Sequence, residues 1–317
     1  MTDLERRYLR LLSAYPADYR RARGAEIVGT YLDLAAPDRR WPSPADAMDL
    51  LRGGLRQRVR AAGAADLVPG VRLAAVLALL TAAPLAGLWT VLELRPAQPD
   101  FGLPAAGPFV SLGIVAWIAW LLAALVQAVT PGRWTRYAVA LAVLVTVALV
   151  PAAALTGLPR PPLFVLLPQI GLGLVALGAP DTVPAPLRAA PLVAVGVVGL
   201  AGPILLPREL FAVSYYTTWT LTPVLPAAAV VVLAVAVLLA AGLALRADHR
   251  GGWAALILLT PVGLLALYPL AGATDGQPSA FSPSWASLAA TAALVTLVGP
   301  ALLPLTLALR TRRTRLA

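Results

Sequence analysis

The sequence predicts an all-α membrane protein, in which a small N-terminal three-helix domain in the cytoplasm precedes a polytopic bundle of transmembrane helices. Of the 317 residues, 59% are apolar and 13% charged, and the mean hydropathy of +0.80 lies outside the range of soluble globular domains. The first 65 residues hold 12 of the 25 arginines and 8 of the 15 acidic residues, so only this segment has a water-soluble composition. Apolar runs long enough to cross a bilayer fill most of the remainder.

The first two predicted helices lie on either side of a proline. Thr2 and Glu5 have the spacing of a capping box, and apolar residues then recur at helical spacing until Pro16 stops the run. A second helix is predicted from Asp18 to Leu34, before a turn-rich stretch. The expected core residues of this domain are Tyr8, Leu12, Tyr31 and Leu51.

The third predicted helix has the clearest start. Ser43 is a good N-cap, Pro44 stands where a helix tolerates proline, and Asp46 completes the box. Its predicted core face consists of Met48, Leu51, Leu55 and Val59. The domain is therefore placed at residues 1–62, followed by a linker at 63–70 in which Gly63 is a plausible hinge.

The string LERRYLRLLSAYPADYRRARGAEIVGTYLD, followed by PSPADAMDLLRGGLRQRVR, resembles the small helical domain of HAAS-like, or permease-prefix-like, bacterial membrane proteins. The resemblance covers about the first fifth of the chain and depends mainly on the arginine-rich helix pair interrupted by Tyr-Pro. It implies a signalling or interaction module, often encoded beside PadR-type transcriptional regulators. It implies no catalytic residues, and the membrane part resembles no transporter family.

About eight transmembrane spans are predicted within residues 71–309, and a basic cytoplasmic tail follows at 310–317. The spans are Val71–Leu94, Pro108–Val129, Trp134–Leu155, Pro162–Ala179, Pro191–Leu206, Val224–Leu245, Trp253–Leu270 and Ser287–Leu309. The fourth and fifth are short and contain Pro168 and Pro203, so a re-entrant pair is the alternative, which leaves six spans. Either number is even, and both termini then lie on the same side of the membrane.

The distribution of arginines predicts which side that is. With the N-terminal domain inside, the inner connections and the tail contain Arg133, Arg136, Arg188, Arg246, Arg250, Arg310, Arg312, Arg313 and Arg315. The outer connections contain Arg95, Arg160 and Arg208. Nine arginines against three is the asymmetry of the positive-inside rule, so both termini are predicted to be cytoplasmic in a multi-pass protein of the bacterial cell membrane. The outer segment from Ala271 to Ser284 is predicted to be an exposed loop.

The sequence offers no candidate catalytic, cofactor-binding or metal-binding residue, and the chain is predicted not to be an enzyme. It contains no cysteine, one histidine (His249) and no phosphate-binding glycine loop. The predicted spans contain almost no ionisable side chain, although such residues mark proton relays and ion paths. Glu93 and Arg72, at the two ends of the first span, are interpreted as anchors at the membrane interface.

Two groups of arginines are predicted to form contacts. Arginines near the membrane are expected to bind anionic lipid headgroups, namely Arg52, Arg56, Arg58, Arg60, Arg310, Arg312, Arg313 and Arg315. Arg7, Arg10 and Arg21 are the predicted partner contacts in the N-terminal domain. Although 12 arginines and 8 acidic residues leave a net charge of +4 over 65 residues, the segment has no recognition helix, so nucleic acid is not an expected partner.

Two function classes remain open. The first is a regulatory or sensory membrane protein, whose N-terminal domain binds a cytoplasmic regulatory protein while the bundle responds to lipid, drug or envelope stress. The alternative is a permease, or the membrane subunit of a transporter that works with a separate ATPase. The scarcity of ionisable residues in the spans and the signalling-type domain favour the first. The sequence leaves the oligomeric state open.

Overall fold

The computed structural model describes residues 2–36, 39–61, 66–94, 107–205, 224–275 and 283–316 of the chain. These residues form twelve α-helices, a single turn of 3₁₀ helix and no strand, so the predicted all-α class is confirmed. The chain divides into two compact units, one of residues 1–67 with 304–317 and one of residues 68–303.

The N-terminal unit begins with helices whose capping signals act as the sequence predicts. Its elements are α1 (Asp3–Leu11), a 3₁₀ helix (Leu12–Ala14), α2 (Ala17–Asp33) and α3 (Pro44–Ala61). The Glu5 amide donates to Thr2 Oγ1 and the Thr2 amide donates to Glu5 Oε2, each at a distance of 3.2 Å. At α3 the Asp46 amide donates to Ser43 Oγ at 3.0 Å, and the Ser43 amide donates to Asp46 Oδ2 at 3.2 Å. Both predicted capping boxes are therefore confirmed.

The prediction of the core face of α3 is wrong, because the helix is rotated about its axis so that Leu50 faces the core and Met48 and Leu51 do not. The unit buries Leu4, Tyr8, Leu12, Tyr15, Val28 and Leu50 together. Met48 is 66% exposed and Leu51 is 45% exposed, whereas Leu50 is 1% exposed. The cause is a close approach, since a Cβ at Gly54 would lie 2.7 Å from Ala14 Cβ and one at Gly53 would overlap the Tyr15 hydroxyl. The side chains of Leu55 and Val59 lie outside the described part of the chain.

Eight apolar segments that follow the N-terminal helices are helical, at the places where the sequence predicts spans. Their helices are α4 (Leu67–Glu93), α5 (Gly113–Val129), α6 (Arg133–Thr156), α7 (Leu163–Ala176), α8 (Ala185–Leu205), α9 (Val224–Ala244), α10 (Arg250–Leu265), α11 (Leu267–Thr274) and α12 (Trp285–Leu316). Helix α4 begins four residues before the predicted start of the first span, inside the predicted linker. Residues 62–65, which include the predicted hinge Gly63, lie outside the described residues.

Several helices are long and apolar enough to cross a bilayer, which agrees with a membrane-embedded protein. By length and composition these are α4, α6, α9 and the part of α12 from Trp285 to Thr306, and α10 with α11 adds a fifth if the pair acts as one span. That pair is bent by 70°. Helix α7 has 14 residues and reaches only about 21 Å, less than the roughly 30 Å of a hydrocarbon core. The number of about eight spans therefore stays a prediction.

Helix α4 is the central element of the bundle. In its most apolar window 61% of the residues are buried, against 22% in α6, 17% in α9 and 11% in α12. Helix α7 lies against it through a hydrogen bond from Gln169 Nε2 to the Ala82 carbonyl at 3.0 Å. On another side, the rings of Trp89 and Trp117 approach to 6.3 Å between centroids. The outer helices instead present large apolar side chains such as Leu141 and Leu144 to the surroundings.

Candidate functional site

The described arginines of the predicted lipid-contact group lie on α3. Arg52 and Arg56 are both exposed. The side chains of the other six lie outside the described residues, namely those of Arg58, Arg60, Arg310, Arg312, Arg313 and Arg315. The predicted basic tail, 310–317, continues α12 as helix up to Leu316.

The three predicted partner-contact arginines have different surroundings. The Arg7 guanidinium lies 3.1 Å above the ring centroid of Trp41, and its Nη1 donates to the Arg40 carbonyl at 2.9 Å. Arg10 is exposed near the end of α1. Arg21 pairs with Asp18 at the surface and lines a groove of about 650 Å³ between α1 and α2. Arg7 therefore braces the segment before α3, while Arg21 borders an open surface.

The connections of the bundle separate into two groups by their contacts. The Arg136 guanidinium pairs with the Asp181 carboxylate, which brings the start of α6 to the connection between α7 and α8. The Leu112 amide donates to the Pro159 carbonyl at 3.0 Å, which brings together the opposite ends of α5 and α6. Arg133, Arg136 and Arg188 thus belong to one end and Arg160 to the other, in agreement with the alternation used in the arginine argument.

Glu93 is fully buried, which corrects its interpretation as an interface anchor. The Ser111 amide donates to Glu93 Oε2 at 2.7 Å, and the Ser111 hydroxyl donates to Oε1. The Gly113 amide in turn donates to Ser111 Oγ at 2.9 Å, at the first residue of α5. A Cβ at Gly113 would overlap the Glu93 carboxylate. The carboxylate thus fastens the end of α4 to the start of α5.

A cavity of about 820 Å³ opens at the end of the bundle that contains Arg160. Its walls come from the last turns of α6, the first turns of α7 and α12, and the start of α11. Most of the lining is apolar, including Val150, Ala153, Leu167, Leu267, Leu288 and Ala292. A volume of this size is within the range of small-molecule sites and is sufficient for an alkyl chain.

Two polar side chains stand out in the cavity lining. Arg160 donates from Nη1 to the carbonyl of its neighbour Pro161 at 3.0 Å, and among the described residues no carboxylate lies within salt-bridge distance of it. Tyr268 packs its ring edge-on against Phe164 with 4.8 Å between centroids. The bend between α10 and α11 places Tyr268 at this wall. The described lining therefore combines apolar walls with the Arg160 cation and the Tyr268 phenol.

The cavity was not predicted from the sequence. Its lining residues come from positions 150 to 292, and their apolar identities do not differ from those of lipid-facing positions. The one local signal was the segment LPRPP at 158–162, an arginine held among prolines between two apolar runs.

The outer segment predicted as a loop from Ala271 to Ser284 is only partly one. Ala271 and Gly272 are buried within α11, while residues 276–282 lie outside the described residues. Asp275 follows α11 and accepts from the Ser284 amide and from Ser287 Oγ, each at 2.8 Å. The carboxylate thereby joins the end of α11 to the first turn of α12.

In the described part of the chain, no three His, Cys, Asp or Glu side chains come together as metal ligands would. The chain matches no protein-family model, no curated protein and no solved structure.

Proposed function

We propose that this chain is a multi-pass protein of the bacterial cell membrane with a regulatory or sensory role, not an enzyme. Its N-terminal helices act as a cytoplasmic interaction domain, and its bundle detects a molecule dissolved in the membrane. The observation that carries the proposal is that the N-terminal helices belong to a different compact unit from residues 68–303 and have their own apolar core and their own capping boxes. A domain of this kind can bind a partner without taking part in the chemistry of a membrane site.

The proposed topology has about eight crossings, with both termini in the cytoplasm. It is supported by the arginine asymmetry and by the grouping of Arg133, Arg136 and Arg188 at one end of the bundle. The shorter α5 and α7 then require a locally thinner bilayer or cover from neighbouring helices.

The proposed partner is a cytoplasmic regulatory protein. The resemblance to HAAS-like domains supports this choice, and the groove between α1 and α2 is the proposed contact surface. Leu9, 42% exposed, lies in the groove with Glu5, Arg20 and Arg21 at its edge. A partner helix with one apolar side and both signs of charge would match it.

The proposed input is an amphiphile with an apolar body and an anionic head. Apolar walls favour a hydrocarbon chain, and Arg160, which has no carboxylate partner among the described residues, favours a carboxylate, sulfate or phosphate group. A fluorescent fatty acid is therefore a suitable probe, measured by titration against the purified protein in nanodiscs. We expect Arg160→Gln to weaken binding about ten-fold or more, because a charge-assisted hydrogen bond contributes about 1.5–3 kcal/mol.

The regulatory role is tested by transcript profiling of a deletion strain complemented with variants. Ala153→Trp fills the cavity, whereas Ala140→Trp adds the same bulk at an exposed position of the same helix. We expect the strains with Ala153→Trp and with residues 1–60 deleted to show the profile of the deletion strain, while Ala140→Trp restores the normal one. A normal profile from the chain lacking residues 1–60 would contradict the proposal.

A permease, or a transporter subunit served by a separate ATPase, is the second candidate. The specific observation in its favour is the 70° bend at Ala266 beside an open cavity, since broken helices line transport paths. Uptake or efflux of the amphiphile by proteoliposomes, with a partner ATPase encoded nearby, would favour it over regulation.

A further inference from the structure

One side of α3 carries large apolar side chains that the N-terminal unit does not bury. Met48 and Leu51 are exposed, while Leu50, Gly53 and Gly54 are turned toward the rest of the unit. In the sequence, Leu55 and Val59 follow at the spacing that keeps residues on the side of Met48. An apolar stripe of this length on a water-soluble helix indicates a contact surface.

Positive charge borders this stripe. At 100° per residue, Arg52 and Arg56 lie beside the apolar side of α3, and both are exposed. Asp46 belongs to the other side of α3, where it accepts from the Tyr8 hydroxyl at 3.0 Å. Asp49 lies on the same edge as the two arginines, and its carboxylate accepts from the Tyr31 hydroxyl at 2.5 Å. The outward surface of α3 is therefore apolar along its middle, and the described charges at its edge are two arginines and one carboxylate that is already bonded to Tyr31. An apolar side bordered by net positive charge is typical of helices that lie in lipid headgroups.

The position of α3 in the chain identifies the occupant. Helix α3 ends at Ala61 and the first bundle helix begins at Leu67, so five residues join them. Five extended residues and their flanking bonds reach at most about 20 Å. If α4 enters a bilayer, a lipid surface is therefore always within reach of α3, whereas a protein partner has to be recruited.

We propose that α3 lies in the headgroup region of an anionic bilayer, with Met48 and Leu51 inserted and with Arg52 and Arg56 bound to lipid phosphates. This inference needs the bundle to be membrane-embedded but does not depend on the regulatory role. It also leaves the groove between α1 and α2 free for a partner.

The chain contains no cysteine, so single cysteines report one position each. The full-length variants Met48→Cys, Leu51→Cys and Glu26→Cys are labelled with a polarity-sensitive fluorophore and placed in nanodiscs that contain phosphatidylglycerol and spin-labelled lipid. Glu26, exposed on α2, is the matched control. We expect blue-shifted emission and quenching by the lipid at positions 48 and 51, and neither effect at 26.

The arginines are tested in the same assay. We expect Arg52→Gln with Arg56→Gln to lower the ratio of docked to undocked α3 about 25-fold at low salt, about five-fold for each arginine. Equal quenching of positions 48 and 26 by aqueous iodide would overturn the proposal. Protection of position 48 that depends on protein concentration rather than on lipid would also overturn it, because it would assign the surface to a second copy of the chain. Trypsin resistance of residues 2–61 in each labelled variant verifies that the unit is folded.

Discussion

The N-terminal unit and the bundle are both helical, but hydrogen bonds and small-residue contacts have different weight in holding their helices together. In the N-terminal unit, directional hydrogen bonds join the helices, from Tyr8 to Asp46 and from Tyr31 to Asp49. The bundle also has such bonds, from Gln169 to the Ala82 carbonyl and from Trp120 to Thr146, but close approaches at small residues are more frequent there. A Cβ at Gly173, for example, would lie 2.6 Å from Trp120 Cη2. The bundle also buries Gln127 with neither amide atom bonded to another described residue.

This difference teaches which interactions remain available in each solvent. Water favours burial of apolar side chains, so an amphipathic helix finds its partners through the hydrophobic effect and its geometry is then set by specific polar pairs. Lipid tails are as apolar as the side chains themselves, so no hydrophobic effect drives two helices together in a membrane. Close packing of small residues then decides which helices meet.

The largest expected effect comes from a charge placed on the buried side of α3. Leu50→Asp buries an unpaired carboxylate in a small core, which costs more than about 3 kcal/mol and should unfold the N-terminal unit. We expect trypsin to cleave rapidly after the arginines of this unit in the full-length variant. Leu51→Asp is the matched control, and it should stay resistant because its side chain is exposed. Equal cleavage of both variants would show that α3 is oriented differently.

A medium effect is expected from glycine substitutions in the bundle. Gly173→Val forces a branched side chain against Val143 and against Trp120, whose Nε1 is held by Thr146 Oγ1 at 3.0 Å. Overpacking of this kind costs about 1–3 kcal/mol, so the melting temperature in detergent should fall by several degrees. Gly196→Val is the control, because a Cβ there meets nothing within 4 Å. A lower melting temperature for Gly196→Val than for Gly173→Val would contradict the packing described for α7.

The smallest expected effect is the dependence of the stability of the N-terminal unit on pH. Hydrogen bonds from Ser43, and then from the Tyr8 hydroxyl, hold the pKa of Asp46 below its usual value. The charged carboxylate therefore stabilises the unit above the unfolded pKa of about 4, and this contribution is lost as the pH falls through the lower pKa of the folded state.

Asp46→Asn tests this effect. It should cost about 1 kcal/mol at neutral pH and flatten the acid dependence of amide hydrogen exchange in α3. Exchange rates with the same acid dependence in the variant and the natural protein would show that another group carries it.

Local features of the fold could be predicted from the sequence, and features that depend on distant residues could not. Both capping boxes were correct because Thr2 with Glu5 and Ser43 with Asp46 act within one helical turn. The prediction of which side of α3 is buried was wrong, because that side is set by the approach of Gly53 and Gly54 to a turn some 40 residues earlier.

The same distinction applies to the candidate site. Glu93 stood at the end of an apolar run, where a carboxylate normally faces water, and its partner Ser111 follows 18 residues later across a connection. The cavity brings together Arg160 and Tyr268 from helices whose apolar composition carries no information on which sides face each other. Sequence reasoning therefore predicted that the bundle exists but not what it encloses.

The joint between Glu93 and Ser111 has a consequence for how the protein is made. Glu93 is synthesised 18 residues before Ser111, so its carboxylate lacks both Ser111 donors until that residue has been made. Only after Ser111 and the first turn of α5 have emerged can both oxygens exchange water for protein donors. The end of α4 can therefore be fastened only once the chain has been extended into α5.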